Sequence, residues 1–388
     1  VSIANVAPAP VHYDWPALTG LRGLAAFAVV CLHTFSLSGN PSSLPSPLTW
    51  LFSMGGAGVD VFFTLSAFLL TLPFVASEFE SEPTPNLRVY AKRRLLRILP
   101  AYYVQIAILL ALGALGANSA WAWTMPKLSA VIAHLLFYLD AWPLVFPQIP
   151  PWWTLPVEMG FYLLLPLFAR CLRPRRWPWL LLGIAASLAY RYGLTQTGLT
   201  MARQINWGDH LPGRLHQFLI GMLAAYAFVR LKMVKRLPSG RLADGLTLMA
   251  IVMFIALPAL GYPIVGRTFL GEPSPNLVLQ GWHLYASLLV ALLLVTLAAG
   301  APIFGRVFSW PPLRGLGLIS YSLYLWHYPV MLAVRDALGG FDKARGDFWT
   351  YFFYCVLFSV LVALASWWMV EQPAQRWGRR LSAVGKGG

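Results

Sequence analysis

Charge is what this 388-residue chain has least of: 11% of its residues are Asp, Glu, Lys or Arg, and 14 acids face 29 bases. Cysteine is nearly absent. Cys31, Cys171 and Cys355 lie in or beside apolar runs and share no spacing, which excludes a disulfide frame and a thiolate metal site. The histidines are scattered over separate apolar runs with no His/Glu pair at zinc spacing, so the sequence points to no metal. Ten-residue segments of alternating polarity are missing, and with them the pattern of a transmembrane β-barrel. No internal repeat stands out, and the inverted repeats and paired broken helices of many transporters are not seen. The first residues carry no basic n-region and no small-residue cleavage pattern, so the first apolar run is expected to serve as the insertion signal.

What the chain does have is apolar length. Apolar residues make up 58% and aromatics 14%, and the mean hydropathy is +0.62. The runs are long and unbroken, which predicts an all-α, polytopic integral membrane helical bundle. Spans are expected near 18–38, 50–76, 99–118, 153–170, 178–194, 211–229, 243–263, 281–304, 315–335 and 347–370. The net charge of +15 reflects basic loops that set orientation, and no nucleic-acid partner is expected. Basic residues collect at 88–97, 170–176, 230–241, 306–314 and 376–386. That pattern places these loops, and both termini, on the cytoplasmic side. The stretch 128–146 is apolar but short, and it contains Asp140, Pro143 and Pro147. Counting it as a crossing would put the two basic loops on either side of it on opposite faces. It is therefore read as re-entrant or interfacial, covered by protein or a water-filled cavity. The expectation is about ten transmembrane helices plus that segment. Residues 1–17 are expected to form an N-terminal cytoplasmic segment, 18–371 the membrane domain and 372–388 a short basic tail, with no appended soluble domain expected.

The first span carries Arg22 and His33 with ten residues between them. On a helix, eleven steps of 100° return the two side chains to within about 20° of one face, roughly 16 Å apart along the axis. Either alone has a bland reading, a snorkelling arginine or a histidine bonded inside the bundle. Together on one face of a span they point to a functional path, because ionisable groups in the bilayer are costly.

Five further features join that pair in order. They are Gly58-Val59-Asp60-Val61-Phe62-Phe63-Thr64-Leu65-Ser66, Arg94-Leu95-Leu96-Arg97, Trp153-Thr154-Leu155-Pro156-Val157-Glu158, Tyr324-Leu325-Trp326-His327-Tyr328-Pro329 and Val370-Glu371-Gln372-Pro373. The set resembles the acyltransferase-3 family of bacterial membrane O-acyltransferases over nearly the whole chain. Ala67, Thr154 and Gly160 depart from that family's usual residues without removing a polar group the chemistry needs.

The resemblance implies a multi-pass enzyme of the bacterial cytoplasmic membrane. It would move an acyl group, most often acetyl, from cytoplasmic acyl-CoA to a hydroxyl of a carbohydrate, glycolipid or glycosylated small-molecule acceptor. A thioester is already activated, so the protein must activate the hydroxyl, hold the reactants together and stabilise an oxyanion. His33 suits the role of general base, with Glu158 or Asp60 as the group that orients it. Arg93, Arg94 and Arg97, with Arg22, are candidates for the phosphates of CoA, which guanidinium groups suit better than lysine. Anchoring against anionic lipid is the other reading of the three loop arginines. Arg214, His216 and His327 are candidates for acceptor binding. His134 and His283, near helix ends, are expected to be exposed or interfacial. A transporter of an anionic or glycan-type solute, with Arg22 and His33 lining its path, is the alternative function.

Overall fold

The computed structural model describes residues 15–39, 41, 44–80, 82–116, 126–137, 148–269 and 276–384. All regular structure among these residues is helical, with no strand. Ten helices of sixteen or more residues carry the fold: α1 Pro16–Leu37, α2 Ala57–Phe79, α3 Leu87–Ala114, α4 Thr154–Ala169, α5 Pro178–Thr195, α6 Leu211–Met233, α7 Gly240–Phe269, α8 Asn276–Ala298, α9 Ser320–Ala337 and α10 Phe348–Ser366. Among the described residues six stretches are long and apolar enough to cross a bilayer: Pro16–Leu37, Ser46–Phe79, Leu87–Ala114, Pro150–Leu172, Gly281–Ala298 and Phe348–Arg380. The chain is a multi-pass helical membrane protein. Helices α5, α6 and α9 fall outside those six because they carry residues such as Arg191, Arg214 and His327, which lower their mean hydropathy.

Starts and stops follow local chemistry. Proline opens α1 and α5, where its missing N–H costs nothing. Asn86 caps α3 by accepting from the backbone N–H of Arg88 and Val89 at 3.0 and 3.2 Å. The expected span 281–304 ends earlier, at Ala298, because Gly300 adopts φ of 91° and turns the chain into a short helix, Pro302–Phe308. The Asp244 carboxylate caps that helix through Ile303 N at 3.0 Å and Phe304 N at 3.2 Å. The expected span 315–335 is two helices, Pro311–Leu318 and α9, separated at Ile319. Of the stretch 128–146, the described part holds an eight-residue helix, Leu128–Leu135, about 12 Å long and too short to span. Tyr102 and Tyr103 of α3 bond to its His134 and Leu135 carbonyls. Asp140, Pro143 and Pro147 lie outside the described residues.

Helix α1 sits at the centre, packed against α2, α9, α10 and the helices 302–308 and 311–318. Lipid tails are as apolar as leucine, so helices in a bilayer gain by close backbone approach at small residues. Gly20 and Gly23 bring α1 onto the carbonyls of Phe308 and Leu313, where any Cβ would collide. On the opposite wall Gly55 and Gly58 meet the carbonyls of Ala28 and Ala25 in the same way. Clamped on both sides, α1 has a fixed rotation, and that rotation aims Arg22 and His33.

Candidate functional site

An open cavity, with about 830 Å³ of empty space including its mouth, lies where α1, α2, α3, α4 and α9 converge. Arg22, Ser66, Arg94, Arg97, Glu158 and Tyr324 supply its polar walls. Arg22 donates from Nε and Nη2 to the Gly317 carbonyl, at 3.0 and 2.5 Å. Carbonyls in the last turn of a helix lack intrahelical partners and sit at the negative end of its dipole, so a guanidinium is favoured there. Arg94 and Arg97 are three residues apart on α3 and line the same wall. Arg97 Nη1 is 3.5 Å from Glu371 Oε1. Glu371 is buried and also accepts from Ser322 Oγ at 2.8 Å and Gln375 Nε2 at 2.9 Å. Arg94 packs its guanidinium over the Tyr162 ring, 5.8 Å from the centroid. Its Nε is buried with no hydrogen-bond partner among the described residues. Glu158 accepts from the Tyr162 hydroxyl and from Ser66 Oγ at 3.2 Å.

Three turns along α1, His33 is half-buried and places Nδ1 2.9 Å from Nε2 of His327 on α9. The His327 ring is fully buried, with Nδ1 3.0 Å from the Leu323 carbonyl. Tyr328 stands edge-on to His33 at 5.3 Å between ring centroids. Arg22 reaches Gly317 and His33 reaches His327, so both turn toward the 311–337 stretch, as the eleven-residue spacing requires.

A second polar cluster lies between α2, α6 and α8. Asp60 Oδ1 accepts from Arg214 Nη1 at 3.2 Å and Gln217 Nε2 at 2.5 Å, with His283 Nδ1 2.7 Å away. Its Oδ2 accepts from Trp282 Nε1 at 3.1 Å. Arg214 also donates to Asp209 Oδ1 at 2.7 Å and stacks over the Trp153 ring. His216, on another face of α6, has Nδ1 3.1 Å from the Ser187 hydroxyl and leaves Nε2 buried with no hydrogen-bond partner among the described residues.

Residues 15–369 match the acyltransferase domain family Acyl_transf_3. The chain belongs to this acyltransferase-3 family. It is 27% identical over 380 residues to the peptidoglycan O-acetyltransferase OatA of Listeria monocytogenes, covering 94% of this chain and 56% of that protein. It is 26% identical over 379 residues to O-acetyltransferase OatA of Staphylococcus aureus, covering 93% and 58%. Acyltransferase MdmB of Streptomyces mycarofaciens is 30% identical over 183 residues, covering 45% and 44%. The chain thus spans little more than half the length of the OatA relatives. No solved structure matches it.

The acyltransferase-3 fold brings Arg22, Arg94, Arg97 and Glu158 to one cavity. Arg93 does not line it: one residue before Arg94 its side chain points about 100° away, into the exposed surface. Neither carboxylate expected to orient His33 bonds to it. Glu158 is held by Tyr162 and Ser66, and Asp60 by the α6 and α8 donors. The ring bonded to His33 is His327. Arg214 and His216 are buried with partners inside the bundle and are not among the cavity's lining residues. His283 and His134 are not exposed residues: the first joins the Asp60 cluster, and the second is 1% exposed and accepts from Gln148 N at 3.0 Å. Sequence reasoning quoted Glu371 and Ser66 within motifs without giving them partners. The signal available was scarcity, since each of only 14 acids inside a membrane protein needs a donor.

Proposed function

We propose that the protein is a membrane O-acyltransferase that moves an acyl group, acetyl in the first instance, from acyl-CoA to a hydroxyl of a carbohydrate-type acceptor. The observation that carries this reading is the gathering of Arg22, Arg94 and Arg97 on one cavity, with Arg22 on the same helix face as His33. Three guanidinium groups match the pyrophosphate and 3′-phosphate of CoA, and the unbonded Arg94 Nε fits an anionic oxygen. The roughly 16 Å between the Arg22 and His33 positions is of the order of an extended pantetheine arm.

In this reading Arg94 and Arg97 hold the donor phosphates, Arg22 the start of the arm, and the thioester lies toward His33. His33 takes the proton of the acceptor hydroxyl as its oxygen bonds to the thioester carbon. The tetrahedral intermediate then expels the CoA thiolate, which takes up the proton. General-base assistance of this kind is worth about 10²–10⁴-fold in rate. Names of the relatives favour a peptidoglycan-type sugar hydroxyl as acceptor. The basic loops support a reading in which the Arg94 end of the cavity faces the cytoplasm of a bacterium, with both termini on that side. The acceptor then reaches His33 from the membrane or its outer face.

Binding of acetyl-CoA to the purified protein in nanodiscs, by calorimetry, tests the donor assignment. Saturable binding by wild type that is lost with Arg94→Ala supports it. Absence of binding by folded, monodisperse wild type removes it.

A further inference from the structure

His327 is the only side chain hydrogen-bonded to His33 among the described residues, and its own ring is fixed from behind. The Leu323 carbonyl, 3.0 Å from His327 Nδ1, can only accept. His327 Nδ1 therefore carries the proton, and a neutral imidazole so protonated keeps its lone pair on Nε2. The 2.9 Å contact then requires a donor from the other ring, and the His33 Nδ1–H is that donor. With its proton on Nδ1, His33 has its lone pair on Nε2.

We infer that His327 is a positioning residue that holds His33 in the tautomer whose Nε2 takes the acceptor's proton. This rests on the reading of His33 as general base. Burial sets the direction of the relay. His327 is fully buried behind a half-buried His33, so His33 is the ring an acceptor can reach. The reverse relay needs His327 to donate from both nitrogens as a cation, which burial in apolar surroundings opposes. The arrangement also acts during the reaction. When the hydroxyl proton moves to Nε2, the His33 ring becomes cationic and its Nδ1–H bond to His327 becomes charge-assisted, a gain made only as charge develops. The acceptor oxygen forms its bond to the thioester carbon, the carbon–sulfur bond breaks, and the proton leaves Nε2 for the thiolate. His327 gains and loses no proton.

Hydrogen-bond polarity separates this role from packing. His327→Gln offers an amide oxygen to the His33 Nδ1–H, His327→Leu offers nothing, and His327→Lys offers only donors. Wild type, His33→Ala and these three variants, purified in nanodiscs, are compared for acetyl-CoA consumption and for the ring ¹⁵N signals of His33. We expect kcat to fall about 100-fold or more for His327→Leu and His327→Lys, as when a catalytic histidine is left in the wrong tautomer. The KM for acetyl-CoA stays within about threefold, and His327→Gln recovers kcat to within about tenfold of wild type. The ¹⁵N signals should show a protonated Nδ1 and a bare Nε2 in wild type and His327→Gln, and the opposite in His327→Lys. Wild-type kcat in His327→Leu, kcat in His327→Gln as low as in His327→Leu, or a wild-type ring with bare Nδ1 overturns the inference. Wild-type turnover in His33→Ala instead removes the general-base reading beneath it.

Discussion

Arg22 grips the carbonyl of Gly317 with two nitrogens, Nε at 3.0 Å and Nη2 at 2.5 Å, across 295 residues of sequence. That contact ties the central helix to the break between the 311–318 helix and α9, at the wall of the cavity that Arg22 lines. The approach is possible because Gly317 has no Cβ. A side chain there would collide with the Thr19 carbonyl, one turn before Arg22.

Gly317→Ala should therefore destabilise the protein by about 1–3 kcal/mol, the usual cost of forcing a methyl into a packed interface. The check is the thermal midpoint of the detergent-solubilised protein, which should fall by several degrees. An unchanged midpoint would mean that the two helices can part without cost. Arg22→Lys should instead fold normally and weaken donor binding, because a point-charge ammonium cannot reproduce the two-nitrogen fork.

Asp60 is committed to a buried network. Its carboxylate is 1% exposed and already has four donors or ring partners, from Arg214, Gln217, Trp282 and His283. Asp60→Ala leaves Arg214 buried with only Asp209 as a carboxylate partner. Breaking such a pair costs about 3–5 kcal/mol. Thermal unfolding should show a large loss for Asp60→Ala and a partial recovery when Arg214→Leu is added. Additive losses in the double variant would contradict the pairing.

Donor binding should depend on position within one basic stretch. Arg94 lines the cavity while Lys92, two residues earlier, is exposed. Arg94→Ala should raise the KM for acetyl-CoA by about tenfold or more, as expected when a charged hydrogen-bonding group worth roughly 1.5–3 kcal/mol is lost. Lys92→Ala should stay within about twofold, in the range of ordinary surface changes. Equal effects would assign the whole stretch to membrane anchoring.

Much of this geometry was legible before the structure. Arg22 and His33 could be placed on one face because helical periodicity is rigid and charge inside an apolar run is rare. Arg94 and Arg97 followed from their three-residue spacing, while Arg93, adjacent in sequence, stands exposed and outside the cavity lining. The helix breaks at Gly300 and Ile319 were hidden, since hydropathy averages over a turn and both sides of each break are apolar. The partners of Asp60 were hidden for another reason. His283 lies 223 residues away, and no local pattern encodes a contact closed by packing α8 against α2. His327 could be seen as unusual, but its bond to His33 depends on how α1 and α9 meet.

The most direct measurement is acetyl-CoA consumption by purified, monodisperse protein in nanodiscs, with a saccharide acceptor supplied, for wild type beside His33→Ala. The expected result is saturable turnover by wild type and a kcat lower by about 10²–10⁴-fold in His33→Ala, with acetyl-CoA binding retained. Turnover by His33→Ala equal to wild type, or a folded wild type that neither binds nor consumes acetyl-CoA, would contradict a donor site built on Arg22, Arg94 and Arg97 that brings its thioester to a hydroxyl activated by His33.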